Sequence, residues 1–376
     1  MSAVRASPDD MPSARRAGVA AAIAVAPFAL AYRFALIYRA RAGQPRRRPP
    51  RYTPADFGLP FEETVVQSGQ TTLPAWFVPA RDGRPGPGVV LVHGWESARD
   101  RALPNIQFLN AAGFHCLVFD VRGHGANPPE ALPVSGGEFG ADAAAALDAM
   151  LARPEVTKAA LFGHSMGAGG AILAAAADRR TAALVSTAAP SDPYQLTRLT
   201  FQLAGLPIPD AVAYPLAWLT MRVYLRPRRH RVDDVSARVA ITRYEGPVLL
   251  AHGARDGVVP LSHLTRLATT AGNARRTAGE APVEVLVVPE GNHSFLYEDS
   301  RYRRTVARFL AEAMGGPYPP DEAGERAAEV DARRLPDADE AFAAVTDAPS
   351  RLRTVGELSG ALRPSVPWTA TPPQEP

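Results

Sequence analysis

Short runs of apolar residues, each closed by glycine, proline or a small polar residue, recur through the middle of the chain. FEETVVQ and TLPAWFVPA come first, followed by GVVLVHG, CLVFDVRG, AALFGHS, AALVSTAAP, PVLLAHG and VEVLVVP. Each run has the length of a buried strand. The later ones are continuously apolar rather than alternating, as a sheet covered on both faces requires. Between them lie segments with the composition and length of helices, such as 137–152 and 168–178. This alternation predicts an α/β fold built on a mainly parallel sheet.

Both ends of the chain depart from that rhythm. Residues 17–38 form an apolar stretch broken only by Pro27 and Arg33, close to the roughly 20 residues needed to cross a bilayer core. Arg15 and Arg16 ahead of it also suit a secretory signal, removed on export. The length of the stretch, its internal arginine and the weak small-residue cleavage pattern at 40–43 favour an uncleaved membrane anchor; an amphipathic or disordered leader is the third reading. Arginines 39, 41, 46, 47, 48 and 51 outnumber Arg5, Arg15 and Arg16, which places the following domain in the cytoplasm. From Pro317 onward the chain is rich in Pro, Ala, acidic residues and Arg and poor in large apolar ones. Such a segment cannot repay its ordering entropy. The expected organisation is a leader with a basic linker over 1–55, a globular domain over 56–316 and a disordered tail over 317–376, with room for short helices at 321–334 and 338–344.

Composition narrows the function. With 46% hydrophobic residues the chain can bury a large core. Its net charge is +3, but Lys158 is its only lysine, so the arginines reflect a residue bias; no aromatic-interleaved basic motif points to a nucleic-acid partner. The lone Cys116 cannot form an internal disulfide and reads as a buried thiol. No internal repeat and no H-E-x-x-H spacing is visible, so neither a metal nor an organic cofactor is expected.

In such folds ligands sit beyond the C-terminal ends of the strands. The loops there carry HGWES, DVRGHG, GHSMG, ARDGVVP and EGNHSF. GHSMG, between KAALF and AILAAAA, fits G-x-S-x-G, a serine on a strained strand-to-helix turn. Together with HGW after the third strand, DVRGHG after the fourth, HGARDGVVP after the seventh and GNHSF after the last, it makes the chain resemble the α/β-hydrolase superfamily over about 61–315. The resemblance implies the α/β-hydrolase fold, a mostly parallel eight-stranded sheet flanked by helices. It assigns Ser165 as nucleophile, His293 as base and Asp256 as the acid that orients it, with the backbone N–H groups of Trp95 and Met166 as oxyanion donors. The implied activity is that of a carboxylesterase-like serine hydrolase acting on a small-molecule ester or thioester with an apolar acyl group. A non-catalytic membrane-tethered binding protein, or an acyltransferase, lipase or peptidase variant, are the alternatives.

The remaining candidates have structural readings. His164 points away from the Ser165 hydroxyl, Asp120 and His124 build a turn, and His93 and His252 make local hydrogen bonds. Asp233, Asp234 and Asp299 fit the position of Asp256 less well, while Glu96 and Glu290 lie near the site without a demanded role. The long insertion after the sixth strand, about 192–245, repeats apolar residues at helical spacing: Leu196, Leu199, Phe201 and Leu203, then Tyr214, Trp218, Met221 and Leu225. This predicts a helical cap, whose stripes either only pack it onto the body or also wall an apolar acyl pocket. Arg226 to Arg231 reads as a solvated turn.

Overall fold

The computed structural model of the chain describes residues 13–336, apart from 204, 206, 207, 276–280 and 282. Helix α1 (Ser13–Ala42) precedes an antiparallel hairpin of β1 (Glu62–Ser68) and β2 (Thr71–Val78). Strands and helices then alternate through β3 (Gly86–Val92), α2 (Leu103–Ala111), β4 (His115–Phe119), α3 (Gly136–Leu151), β5 (Val156–His164), α4 (Met166–Ala177) and β6 (Thr181–Thr187). The chain leaves the sheet for α5 (Pro193–Leu203), α6 (Asp210–Leu225) and the single turn α7 (Ala237–Ala240). It returns as β7 (Val248–Gly253), α8 (Ser262–Arg275), β8 (Val283–Val288), α9 (Ser300–Met314) and α10 (Pro320–Ala328).

All eight strands join one sheet in the order β1-β2-β4-β3-β5-β6-β7-β8. It is parallel from β4 to β8, and β2 runs antiparallel to both its neighbours. Successive side chains of a strand point to opposite faces, which explains why the runs are apolar throughout. Val89 and Leu91 of β3 feed the core under α2, α9 and α10, whereas Val90 and Val92 feed the core under α3, α4 and α8. The parallel strands all end at the same edge, and the loops leaving it carry the candidate site.

The ends of the chain are more integrated than the sequence pattern suggests. Helix α1 extends beyond 17–38 at both ends, and its C-terminal part is not a detached leader. Ala35 is fully buried, and Phe34 and Tyr38 meet the Phe201 ring edge-on at 5.4 and 5.8 Å. The basic stretch after it is tied to the body through Arg46 N–H to Glu96, Arg51 N–H to Asp100, and the Arg47 guanidinium to the Asn127 carbonyl. The expected disorder is corrected over 317–336, where the short helix expected at 321–334 is present and packed; 337–376 lie outside the described residues. In α10, Ala323 and Ala327, one turn apart, are fully buried, and Ala332 and Leu335 beyond it are buried too. The Arg303 guanidinium donates to the carbonyls of Tyr297, Glu298, Ala327 and Ala328. A flat alanine face packs closely without the large side chains that mark a core in sequence. The segment 338–344 lies outside the described residues.

Within 226–231, Arg226, Arg229 and Arg231 are exposed as a solvated turn requires, but Arg228 and His230 are half-buried and paired. Arg228 donates to Glu130 and to the carbonyls of Leu132 and Pro133, and His230 pairs with Glu138 at 2.8 Å. The hydrogen bond to Glu138 raises the His230 pKa despite partial burial. These contacts fasten the insertion between β6 and β7 to the start of α3.

Candidate active site

Ser165 sits between the end of β5 and the start of α4 with φ 54° and ψ −123°. Non-glycine residues rarely adopt such a backbone, and it persists only where the surroundings enforce it. The enforcement comes from the flanking glycines. A Cβ on Gly163 would lie 2.4 Å from Ala168 Cα, and one on Gly167 would lie 2.2 Å from the Val92 carbonyl oxygen. Because the obstruction is backbone, Gly167→Ala is expected to destabilise the fold by about 3 kcal/mol. By thermal melting this should lower Tm by roughly 6–12 °C. A change within about 2 °C would show that the elbow can open without penalty.

The turn aims the Ser165 hydroxyl at the loop after β8, where Oγ lies 3.0 Å from His293 Nε2. On the other side of that ring, Nδ1 donates to Asp256 Oδ2 at 2.8 Å. Asp256 is pinned in turn: Oδ1 accepts the N–H groups of Val258 and Val259, both at 2.8 Å. His252 Nε2 lies 2.8 Å from the Val259 carbonyl and 3.1 Å from Asp256 Oδ2, so its N–H is shared between two acceptors. Burial opposes ionisation of Asp256, but the charge of His293 and hydrogen bonds from both histidines outweigh it. They hold the carboxyl well below its ordinary value. The arrangement can therefore take a proton from the serine hydroxyl and stabilise the resulting imidazolium.

The other histidines serve the frame. His164 Nε2 donates to the His293 carbonyl at 2.8 Å, which holds the loop after β8 in place. His93 donates through Nδ1 to the Gly94 carbonyl and accepts the Val121 N–H at Nε2. Asp120 accepts the N–H groups of Arg99 and Ala126 along with the Arg99 guanidinium, and His124 stacks edge-on with Trp95 and Phe139. Asp299 caps α9, Asp234 accepts the Arg231 N–H, Glu96 the Arg46 N–H, and Glu290 pairs with Arg255. A contact the sequence reading did not anticipate is His263 of α8, whose Nδ1 lies 2.9 Å from both the N and Oγ of Ser191.

Burial pushes four of these rings down, His93 and His164 to about 4 and His124 and His263 to about 3. An unfolded chain protonates its histidines near 6.5, whereas the fold keeps these neutral until far lower pH. Their contribution to stability is complete above about pH 6.5 and is lost as pH falls toward 4. The expected loss is about 1 kcal/mol per histidine over the first unit below 6.5. Tm measured against pH should be flat above 7 and fall steadily below 6.5; a flat profile down to pH 5 would contradict the buried neutral state.

Ser165 and His293 open onto a cavity of about 690 Å3, within the usual size range for small-molecule sites. Its wall includes Trp95 and Met166, together with Leu196, Met221 and Leu225 from the insertion. The C-terminal end of α1 also contributes, through Tyr38, Arg41 and Ala42. An apolar stretch that suits a bilayer gave no sign that its last turn would line a pocket. Among the described residues no group of three or more His, Cys, Asp or Glu side chains could hold a metal ion.

Comparison with known proteins agrees with this architecture. Residues 83–240 match the family model of the serine aminopeptidase S33 hydrolases. An uncharacterized protein of Mycobacterium tuberculosis, Rv2307c, is 28% identical over 274 residues, covering 69% of this chain and 86% of that protein. The Pyrococcus furiosus esterase Pf2001 superposes with a TM-score of 0.57 at 21% identity, covering 72% of this chain and 98% of its own. The Pyrococcus horikoshii acylaminoacyl peptidase superposes with a TM-score of 0.52 at 15% identity over 70% of this chain and 44% of its own. The sheet order, the serine elbow and these likenesses together give the chain the α/β-hydrolase fold, and its 83–240 segment is similar to the hydrolases of that superfamily.

Proposed function

We propose that the chain is a serine hydrolase that cleaves carboxylic esters or thioesters through an acyl-enzyme. The observation that carries this reading is the hydrogen-bonded line Ser165–His293–Asp256, whose first two members line the cavity. Ser165 Oγ attacks the acyl carbon while His293 Nε2 takes its proton, and the carbonyl oxygen becomes an oxyanion facing the N–H groups of Trp95 and Met166. Each such donor stabilises the transition state by roughly 3 kcal/mol. Collapse expels the alcohol or thiol, protonated by His293 Nε2. Water then enters, gives a proton to the same nitrogen and attacks the acyl carbon, freeing the acid and Ser165.

An ester is favoured over a peptide N-terminus by the charges around the cavity. An α-ammonium group is held by negative charge, whereas arginines outnumber carboxylates among the side chains lining the cavity. Of the carboxylates that line the cavity, Glu96 accepts the Arg46 N–H, and Asp192 is engaged by Ser191, Ser236 and Arg238. The other charged side chains there are arginines 41, 46, 48 and 101. For the N-terminal helix we propose an uncleaved anchor, with the hydrolase body on the cytoplasmic side. Helix α1 is long and apolar enough to cross a membrane, and the packing of Ala35 and Tyr38 into the body argues against a discarded signal.

Labelling with a fluorophosphonate probe tests the nucleophile. The wild-type chain should label and Ser165→Ala should not; a folded wild type that fails to label would favour the non-catalytic binding reading. A panel of p-nitrophenyl esters tests the pocket. With an apolar acyl site each added methylene contributes about 0.8 kcal/mol, so kcat/KM should rise about fourfold per carbon from acetyl until the cavity is filled. Rates that fall beyond acetyl would rule that site out.

A further inference from the structure

We propose that the outer face of α6 docks on the bilayer surface beside α1, so that the cavity lies against the membrane; this rests on the reading of α1 as an anchor. The argument begins with length. Residues 17–30 of α1 are exposed throughout, and contact with the body begins around Ala31. At 1.5 Å per residue the free part reaches only about 21 Å, short of the roughly 30 Å hydrocarbon core. The missing third must come from the turns that follow, those carrying Phe34, Ala35 and Tyr38 against α5 and α6. A bilayer crossed by α1 therefore reaches the level of α6.

The outward side of α6 has the chemistry of that level. Tyr214 and Trp218, one turn apart, are 37 and 49% exposed, and Val212 in the first turn is 53% exposed, while Ala213, Ala217 and Met221 face inward. Arg198 lies over the Tyr214 ring at 4.7 Å and Arg222 over the Trp218 ring at 4.3 Å. On α1, Arg41 is exposed just beyond that depth, and Arg33, about one turn within it, can extend its guanidinium back to the interface. Aromatic rings with long cationic side chains beside them are what the headgroup zone selects, because each combines an apolar body with a polar end. Tyr38, Thr200, Met221 and Tyr224, on the inner faces of the same helices, line the cavity. An amphiphilic ester held in the bilayer would therefore reach Ser165 without crossing bulk water.

The test places an environment-sensitive nitrobenzoxadiazole label at Val212→Cys, Ala24→Cys or Lys158→Cys of the full chain, in vesicles of phosphatidylcholine and phosphatidylglycerol containing doxyl-quencher lipids. The native Cys116 is fully buried and stays unlabelled, and Val212 is outside the cavity wall, so p-nitrophenyl ester turnover reports that the labelled chain is folded. The expected result is quenching at 24 and 212 several-fold above that at 158, with 212 shielded from aqueous iodide. Quenching at 24 with 212 no different from 158 would overturn the docking and leave the anchor standing. Absence of quenching at 24 would overturn both. Iodide shielding at 212 without lipid quenching, accompanied by 212–212 crosslinks between chains, would assign the face to a second copy instead.

Discussion

Ser165→Ala is expected to lower kcat for ester hydrolysis by on the order of 10^6, and His293→Ala by a similar factor, with the double variant no worse than either. The non-additivity follows from the geometry. The hydroxyl is too weak an acid to attack alone, and its only basic neighbour within reach in the described structure is His293 Nε2, at 3.0 Å. Removing either partner removes the same proton transfer. A residual rate of about 10^3 to 10^4 over water would remain, supplied by binding and the oxyanion donors. Full additivity of the two losses would mean that His293 acts elsewhere in the reaction, and an unimpaired His293→Ala would make a different group the base. His164 is the nearest alternative in sequence, but its Nε2 is engaged by the His293 carbonyl and burial keeps it neutral.

How much of this was readable beforehand depended on the range of the interactions. The elbow at Gly163–Gly167 is a local demand of backbone on backbone, so its glycines appear as a motif. The sheet was legible for a similar reason, since Val89 to Val92 must be apolar on both faces. The clamp of Arg228 and His230 on Glu130 and Glu138 was hidden because its halves lie far apart in sequence, and each half alone looks solvated. A short helix at 321–334 was legible, but its docking on the body was hidden because Ala323 and Ala327 stabilise by close fit rather than by large apolar area. The last turns of α1 mislead most, since residues that suit lipid also suit the flank of a protein, and only the positions of Phe201 and Tyr224 distinguish the two.

Asp256→Asn should retain the fold and lose about 10^4-fold in kcat. The two backbone N–H groups of Val258 and Val259 both donate to Oδ1, so the amide oxygen of an asparagine must occupy that position. Its NH2 then falls where Oδ2 was, facing His293 Nδ1 and His252 Nε2. A donor facing Nδ1 forces the imidazole to carry its proton on Nε2, the atom that must accept from Ser165. The base is then lost through its tautomer and not through its position. An alanine at 256 would leave Nδ1 unpaired and the ring free to turn, a different defect. Circular dichroism and Tm would establish that Asp256→Asn is folded, and kcat would be read on the best p-nitrophenyl ester. A variant within tenfold of wild type would mean that another group, with His252 the nearest candidate to relay it, sets the orientation of His293. The expected loss instead ties the two valine N–H groups to catalysis, because they decide which end of the side chain His293 meets.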